Sequence, residues 1–232
     1  MCGRYTLTLE QKTIQREFKV KPGHYLHEPR YNIAPSQPAP VIVREDGNVL
    51  KMMKWGLVPY WAKDPKIGFK LINARAETIT EKPSFKTAFK KRRCLVPTDG
   101  FYEWDKEQGG RVKIPHRFVL KSGMLFAFAG LWDVWTPPEG EPLQSFTIIT
   151  TGPNEMMKPI HDRMPVILHK EDEVKWLDTR VKDVNTLLEL LKPYESELME
   201  EYEVSLRVNS PKEDNPECIK PTRNTQAQKT LL

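Results

Sequence analysis

Cysteine is scarce in this sequence: Cys2, Cys94 and Cys218 are all it has. Three is an odd number, and spacings this wide build neither a disulfide framework nor a Cys-x-x-Cys metal site. The five histidines are scattered, without a His-x-x-x-His pair. A resident metal is therefore not expected, nor is any other cofactor. Long apolar runs are also missing. Nothing approaches membrane-spanning length, and the start lacks a charged-then-apolar signal pattern, so a cytoplasmic location is expected, at the nucleoid if the source is bacterial. Glycine is held to 12 of 232 residues while proline reaches 20. Prolines spread this evenly exclude long helices and favour short strands and loops. With 39% hydrophobic and 29% charged residues, the chain reads as a globular protein able to bury a full core.

The net charge of +5 is modest, but its distribution is uneven. The stretch 82–93, KPSFKTAFKKRR, holds six basic residues and no acid, whereas 195–203, ESELMEEYE, holds five glutamates and no base. Segregation of this kind suggests a side that faces a polyanion, nucleic acid being the commonest. Residues 9–20 have a helical pattern and 21–37 read as a proline-punctuated loop. From 38 the pattern is strand, Asp46-Gly47 turn, strand, the signature of a hairpin. A short basic helix is expected within 83–92, then strands on either side of Asp99-Gly100 and of Lys121-Ser122-Gly123, and another at 145–151. Residues 171–180 and 183–202 read as helices, the second broken at Pro193, with a last strand at 203–208 and a polar tail. No linker divides the chain. The expected fold is α+β: one domain with an antiparallel or mixed, barrel-like β core and peripheral helices, spanning 1–221 with a tail at 222–232.

Five regions combine reactive side chains with turns or aromatics: MCGRY (1–5), RYNIAPS (30–36), WGLVPYWAK (55–63) with INARAET (72–78), DGFYEW (99–104) and PIHDRMP (159–165). Cys2 has an option that no internal cysteine has. With Met1 removed it carries an amine and a thiol on adjacent carbons, a pair that condenses with an aldehyde into a five-membered thiazolidine. Glu103 between Tyr102 and Trp104 is placed as a carboxylate whose pKa aromatic neighbours would raise into a useful range. Taken singly each region also has a plain structural reading: a backbone-satisfying Asn73, a salt-bridged His161, tryptophans in the core. Trp61, in the loop PYWAKDPK, is the one tryptophan read as exposed.

In this order and combination the motifs resemble the SOS-response-associated peptidase (SRAP) family, whose members crosslink themselves to abasic sites in single-stranded DNA. The resemblance runs from Cys2 to about Pro221. It implies that the processed Cys2 amine attacks the sugar aldehyde to form a Schiff base, which the thiol closes to a thiazolidine. By motif, Glu103 would move protons at the amine, His161 would serve as acid–base group on the sugar, and Asn73 would orient Cys2 and substrate. Arg4, Arg75 and Arg163 would hold flanking phosphates, for which guanidinium forks are suited. Pro35 and Trp61 would offer apolar surface for stacking or wedging bases. The peptidase in the family name would be removal of Met1 by the chain itself. Reference pKa values of about 8 for the amine and about 8.5 for the thiol demand no large shift. A monomer is expected, with abasic single-stranded DNA as its partner and no membrane.

Two other readings stay open on the sequence. One is a general cysteine peptidase using Cys2, His161 and Asn73 as a triad-like set. The other is a non-catalytic single-strand-binding module built on the basic stretch and exposed aromatics.

Overall fold

A computed structural model of the chain describes residues 2–21, 27–105 and 113–222. The polar tail from 223 onward, part of the 21–37 stretch and the residues after Asp105 therefore lie outside the described residues. The first half holds β1 (Tyr5–Leu7), α1 (Gln11–Glu17), β2 (Arg30–Ile33), β3 (Pro38–Glu45), β4 (Gly47–Trp55), β5 (Asn73–Arg75) and α2 (Lys86–Lys91). Then come β6 (Arg93–Thr98), β7 (Gly100–Trp104), β8 (Pro115–Leu120), β9 (Phe126–Trp135) and β10 (Leu143–Thr151). The last part holds β11 (Met164–Pro165), β12 (Ile167–Leu168), α3 (Lys170–Leu177), α4 (Val184–Glu189) and β13 (Met199–Glu203).

Five strands close on themselves. β3 pairs with β4 and β6, β6 with β9, β9 with β10, and β10 runs parallel to β4, which completes the ring. The β3–β4 hairpin turns at Asp46 as its Asp-Gly signal requires, with Gly47 at φ 105°, a region that glycine enters without a Cβ penalty. The second sheet, β13-β8-β7-β1-β2, is antiparallel and packs against the barrel. Aromatic edges make the seam: Tyr5 meets Trp55 at 5.2 Å and Phe128 at 6.0 Å, and Phe101, stacked on Phe118 within its own sheet at 5.1 Å, meets Phe128 at 5.8 Å. All are fully buried, and burial of each such side chain contributes about 1.5–3 kcal/mol.

β6 and β7 are not a hairpin, although a turn joins them. At Thr98-Asp99-Gly100 the chain leaves the barrel for the second sheet. Asp99 accepts hydrogen bonds from Thr6 Oγ1 at 2.5 Å, from the Thr8 N–H at 3.2 Å and from Thr8 Oγ1. A Cβ on Gly100 would lie 2.9 Å from the Arg117 guanidinium. Tight approach, rather than dihedral freedom, favours glycine there, because a Cβ would have to push aside a guanidinium held by Tyr202 OH, Thr6 Oγ1 and Asp99 O.

β9 and β10 stay paired from Trp135↔Leu143 to Gly130↔Ile148 and then diverge. Residues 164–168 fill the gap. β11 pairs with β10 on one side and β12 with β9 on the other, while the Val166 N–H donates to Ile149 O and Val166 O accepts from Ala129 N–H, both at 2.9 Å. This insertion carries His161 and Arg163 to the barrel mouth.

Three expectations need correction. Residues 30–33, read as loop, form β2, because β1 offers them an antiparallel edge. The end of the expected helix over 183–202 is a strand, β13, and 203–208 hold only a Val204↔Pro221 bridge followed by a 3-10 turn at Leu206–Asn209. Glu, Leu and Met favour helix, but here the open edge of β8 takes the segment, with Glu201 Oε2 against His116 Nδ1 at 2.8 Å and Tyr202 OH accepting from Arg117 Nη1 at 2.7 Å. Tertiary pairing outweighs local propensity. The basic stretch is also less free than its charge implies. Arg92 is bound to Asp133 at 2.8 Å, and Arg93 is buried with its guanidinium on the carbonyls of Phe89, Trp176 and Asp178 at 2.8, 2.6 and 2.6 Å. No helix of the described residues is long and apolar enough to cross a membrane.

Arg93 thus ties the last turns of α2 and α3 to the barrel. Arg93→Leu would leave the Phe89 and Trp176 carbonyls buried without this donor, Asp178 O keeping the Val181 N–H at 3.0 Å, and should cost about 3 kcal/mol or more. That corresponds to a thermal midpoint lower by about 6–12 °C in a chain of this size, whereas Lys90→Ala, on the exposed face of α2, should change it little. Equal midpoints for the two variants would contradict the role given to Arg93.

Candidate active site

Cys2 enters the fold just before β1, and β1 lies antiparallel to β7 with Tyr5 opposite Phe101. The Tyr102 N–H donates to Arg4 O at 3.0 Å, so residues 2–4 run beside 102–104. Cys2 is fully buried. Glu103 alternates with Tyr102 along β7 and so shares the face of Phe101, turned toward the barrel; its side chain is only 4% exposed. His161 is anchored through its N–H to Met157 O at 2.8 Å, which brings Nε2 to 4.0 Å from Glu103 Oε2. Nδ1 accepts the Arg163 backbone N–H at 3.0 Å, with Asp162 Oδ1 also 3.0 Å away. The backbone bond needs a lone pair on Nδ1 and therefore puts the proton on Nε2, facing Glu103. Asp162 is largely exposed, and solvent weakens its pull on Nδ1.

Burial pushes the Cys2 thiol well above its ordinary range, and the neighbouring Glu103 carboxylate pushes it further, against a smaller opposing effect of the Arg4 backbone N–H. This departs from the expectation of little shift. At neutral pH the buried thiol holds its proton.

Asn73 opens β5, which pairs in parallel with β10, Asn73 opposite Ile148 and Arg75 opposite Thr150. Both polar atoms of its side chain are buried and hydrogen-bond to no described residue. A buried carboxamide with unused donors and acceptor is costly. Arg75 is exposed. Arg163 reaches back to β10, donating from Nη2 to Thr150 O at 2.6 Å, and forks onto Glu77 through Nη1 and Nη2 at 2.6 and 2.9 Å.

Trp61 is 45% exposed, its chain neighbour Tyr60 54%, and Phe69, on the 3-10 turn that follows, 61%. A cleft of about 510 Å³ runs along Trp61, Lys63, Asp64, Lys66, Ile67 and Lys70. The loop is fixed from beneath by Trp135 Nε1 on Ala62 O at 2.7 Å and by Asp133 Oδ2 on the Tyr60 N–H at 3.0 Å. Pro35 is half-buried beside Ser36, which takes φ 71°.

Arg4 is placed differently from the other two motif arginines. Nη1 donates to Asn32 Oδ1 at 2.8 Å and Val208 O at 2.6 Å, Nη2 to Asn209 O at 3.4 Å, and the guanidinium lies over Trp104. It holds the chain's own closing segment. Asn32 donates to the carbonyls of Val208, Ser210 and Glu213, while Asp214 accepts from the Tyr31 and Asn32 N–H groups and from Arg30 Nε. Asn32, Asp214 and Glu77 were missed by sequence reasoning. The signal for the first two was the polar Arg30-Tyr31-Asn32 run itself, too rich in hydrogen-bonding groups for a plain loop.

A family model described as SOS response associated peptidase (SRAP) matches residues 1–211. A Bacillus subtilis protein named abasic site processing protein YoqW is 51% identical over 224 residues, which cover 94% of this chain and 99% of the relative. Abasic site processing protein HMCES from Xenopus tropicalis is 33% identical over 262 residues, covering 94% and 78%. Among solved structures, a crystal structure of a protein from Bacteroides thetaiotaomicron superposes with a TM-score of 0.87 at 29% identity, covering 95% of this chain and 100% of that one. On the extent of the family match and the identity to these relatives, the chain belongs to the SOS response associated peptidase family.

Proposed function

We propose that this protein processes abasic sites in single-stranded DNA by forming a covalent thiazolidine between Cys2 and the ring-opened sugar. The observation that carries the reading is the full burial of Cys2 within electrostatic reach of Glu103, whose carboxylate lies 4.0 Å from the Nε2 of His161. The names of the relatives support the substrate.

The reaction is balanced by the chain's own groups. With Met1 gone, the Cys2 amine adds to the C1′ aldehyde, giving a carbinolamine, and loss of water leaves the iminium. The thiol then adds to the same carbon as its proton passes to Glu103, and the net change is aldehyde plus aminothiol to thiazolidine plus water. His161, with its proton on Nε2, supplies or retrieves the proton at the sugar oxygen. Asn73 offers its unused donors and acceptor to the aminothiol and the sugar. Arg75 and Arg163 take the flanking phosphates, Trp61 stacks a base and Pro35 crowds the opposite side. Arg4 serves from behind by fixing the segment that supports Trp104. Hydrolysis of the Met1–Cys2 bond is assigned to the same groups.

The peptidase alternative needs an imidazole oriented by Asn73, as in a cysteine triad. Here the Nδ1 of His161 is turned to the Arg163 backbone instead, and Asn73 bonds to no described residue.

Incubation with single-stranded DNA carrying an abasic site should give a band stable on a denaturing gel. Cys2→Ala should abolish it, and so should an N-terminal extension that is not removed, because an amide nitrogen forms no Schiff base. Cys94→Ala should not. A denaturant-stable product from the extended protein, its mass confirmed intact, would remove the amine from the chemistry.

Glu103→Gln separates two roles of one carboxylate. It removes a charge that raises the Cys2 thiol, so a purely electrostatic role predicts a faster reaction. Proton transfer to Glu103 predicts the opposite, a loss of about 10²–10⁴ in single-turnover rate. The remaining rate should climb with pH as the thiolate fraction grows. A rate equal to or above wild type at neutral pH would refute the assignment.

A further inference from the structure

Arg163 has five N–H groups, and their orientations differ in consequence. A guanidinium offers two edges for bidentate bonding, one made by Nη1 and Nη2 and one by Nε and Nη2. The second edge is turned into the protein. Nη2 donates to Thr150 O at 2.6 Å, and Nε is buried without a partner among the described residues. The first edge is the outward one, and Glu77 covers it, Oε1 on Nη1 at 2.6 Å and Oε2 on Nη2 at 2.9 Å. Exposure is unequal across the pair. The Arg163 side chain is 13% exposed and Glu77 is 53% exposed, so the arginine is fixed and the carboxylate can leave. The hydrogen bond from Arg163 holds Glu77 below the usual carboxylate range, with Arg75 adding a smaller pull in the same direction.

We propose that Glu77 is a built-in competitor for the phosphate site of Arg163. Its carboxylate has the charge sign and two-oxygen geometry that a phosphodiester would present to the same edge. A DNA phosphate can form its fork only by displacing Glu77, which swings into solvent, and the phosphate is then shared by Arg163 and the exposed Arg75. Each binding event therefore exchanges one anion for another on Arg163. A loosely held strand gains little from that exchange. A strand already seated by stacking at Trp61 and by the sugar at Cys2 presents its phosphate at high local concentration and wins it. Glu77 thereby acts as a specificity-determining residue, lowering affinity for undamaged DNA. The inference rests on the reading of the chain as a DNA-processing protein.

The test is a double-mutant cycle on binding of fluorescently labelled, undamaged single-stranded oligothymidine, followed by anisotropy. Glu77→Gln keeps size and removes charge. It should tighten binding about two- to fivefold, the range of a partly exposed ion pair. In an Arg163→Gln background the same change should have no effect, since there is no edge to free. Glu77→Ala should act in the same direction as Glu77→Gln, and thermal melts should show all variants folded. Equal tightening in both backgrounds would mean long-range charge only and would overturn the exchange. Weaker or unchanged binding by Glu77→Gln would make Glu77 a support for Arg163 and overturn it too. A wild-type protein that binds no single-stranded DNA would defeat the proposed function itself, and the exchange with it, an outcome distinct from the others.

Discussion

A closed barrel satisfies its backbone hydrogen bonds by pairing every strand on both sides, so anything set into its wall has to interrupt the ladder and then repair it. Here β9 and β10 separate beyond Gly130↔Ile148, and residues 164–168 repair both freed edges. Gly130 stands at the point of separation with the Cys94 Sγ, the Val96 side chain and Thr147 O all within 3.1 Å of where a Cβ would be. A larger residue there would have to displace the packing of β6 as well as the β10 backbone. Half of the candidate site hangs on this split, the other half, Cys2 and Glu103, coming from the second sheet. His161 and Arg163 lie at the head of the inserted segment, and β5, which carries Asn73 and Arg75, lies along the same β10 that receives it. The mixed character of the sheet follows as well, since β4 and β5 both run parallel to β10.

The arginines show how one residue type divides between building and binding. Arg93 spends its donors on carbonyls, Arg92 and Arg30 on carboxylates, and Arg4 on a side-chain amide and the closing segment. Arg75 alone of the motif arginines points outward without such an engagement among the described residues, and Arg163 is engaged by a partner able to withdraw. Net charge in the sequence overstated the surface available to a polyanion because it counted every guanidinium alike.

Much of the fold was legible. Asp46-Gly47 marked its hairpin because only a few residue pairs suit such a turn, and the short helices at 11–17 and 86–91 kept their apolar spacing. What misled was the segment around Met199. Its composition favours a helix, and only the open edge of β8 makes it a strand, a fact held some eighty positions away. The convergence of Cys2, Glu103 and His161 was suggested by motif order, while the raised thiol was not, since burial of a residue beside the chain start runs against the frayed terminus that position ordinarily implies. Glu77 escaped because nothing in INARAET distinguishes a carboxylate that pairs from one that is solvated.

The closing segment gives the site a mechanical property. Arg4 and Asn32, at the start of the chain, hold Val208, Asn209, Ser210 and Glu213 near its end, and Trp104 is bonded to Asn209 at 2.6 Å. A chain start held this way cannot peel off alone. β1 is flanked by β2 and β7, and β2 is in turn latched by Asp214. Local opening of residues 2–7 must break the latch as well, so the free energy of exposing Cys2 approaches that of opening the whole second sheet. Slow amide exchange at the first strand and at 206–214 should therefore rise and fall together, the two ends of the chain behaving as one cooperative unit.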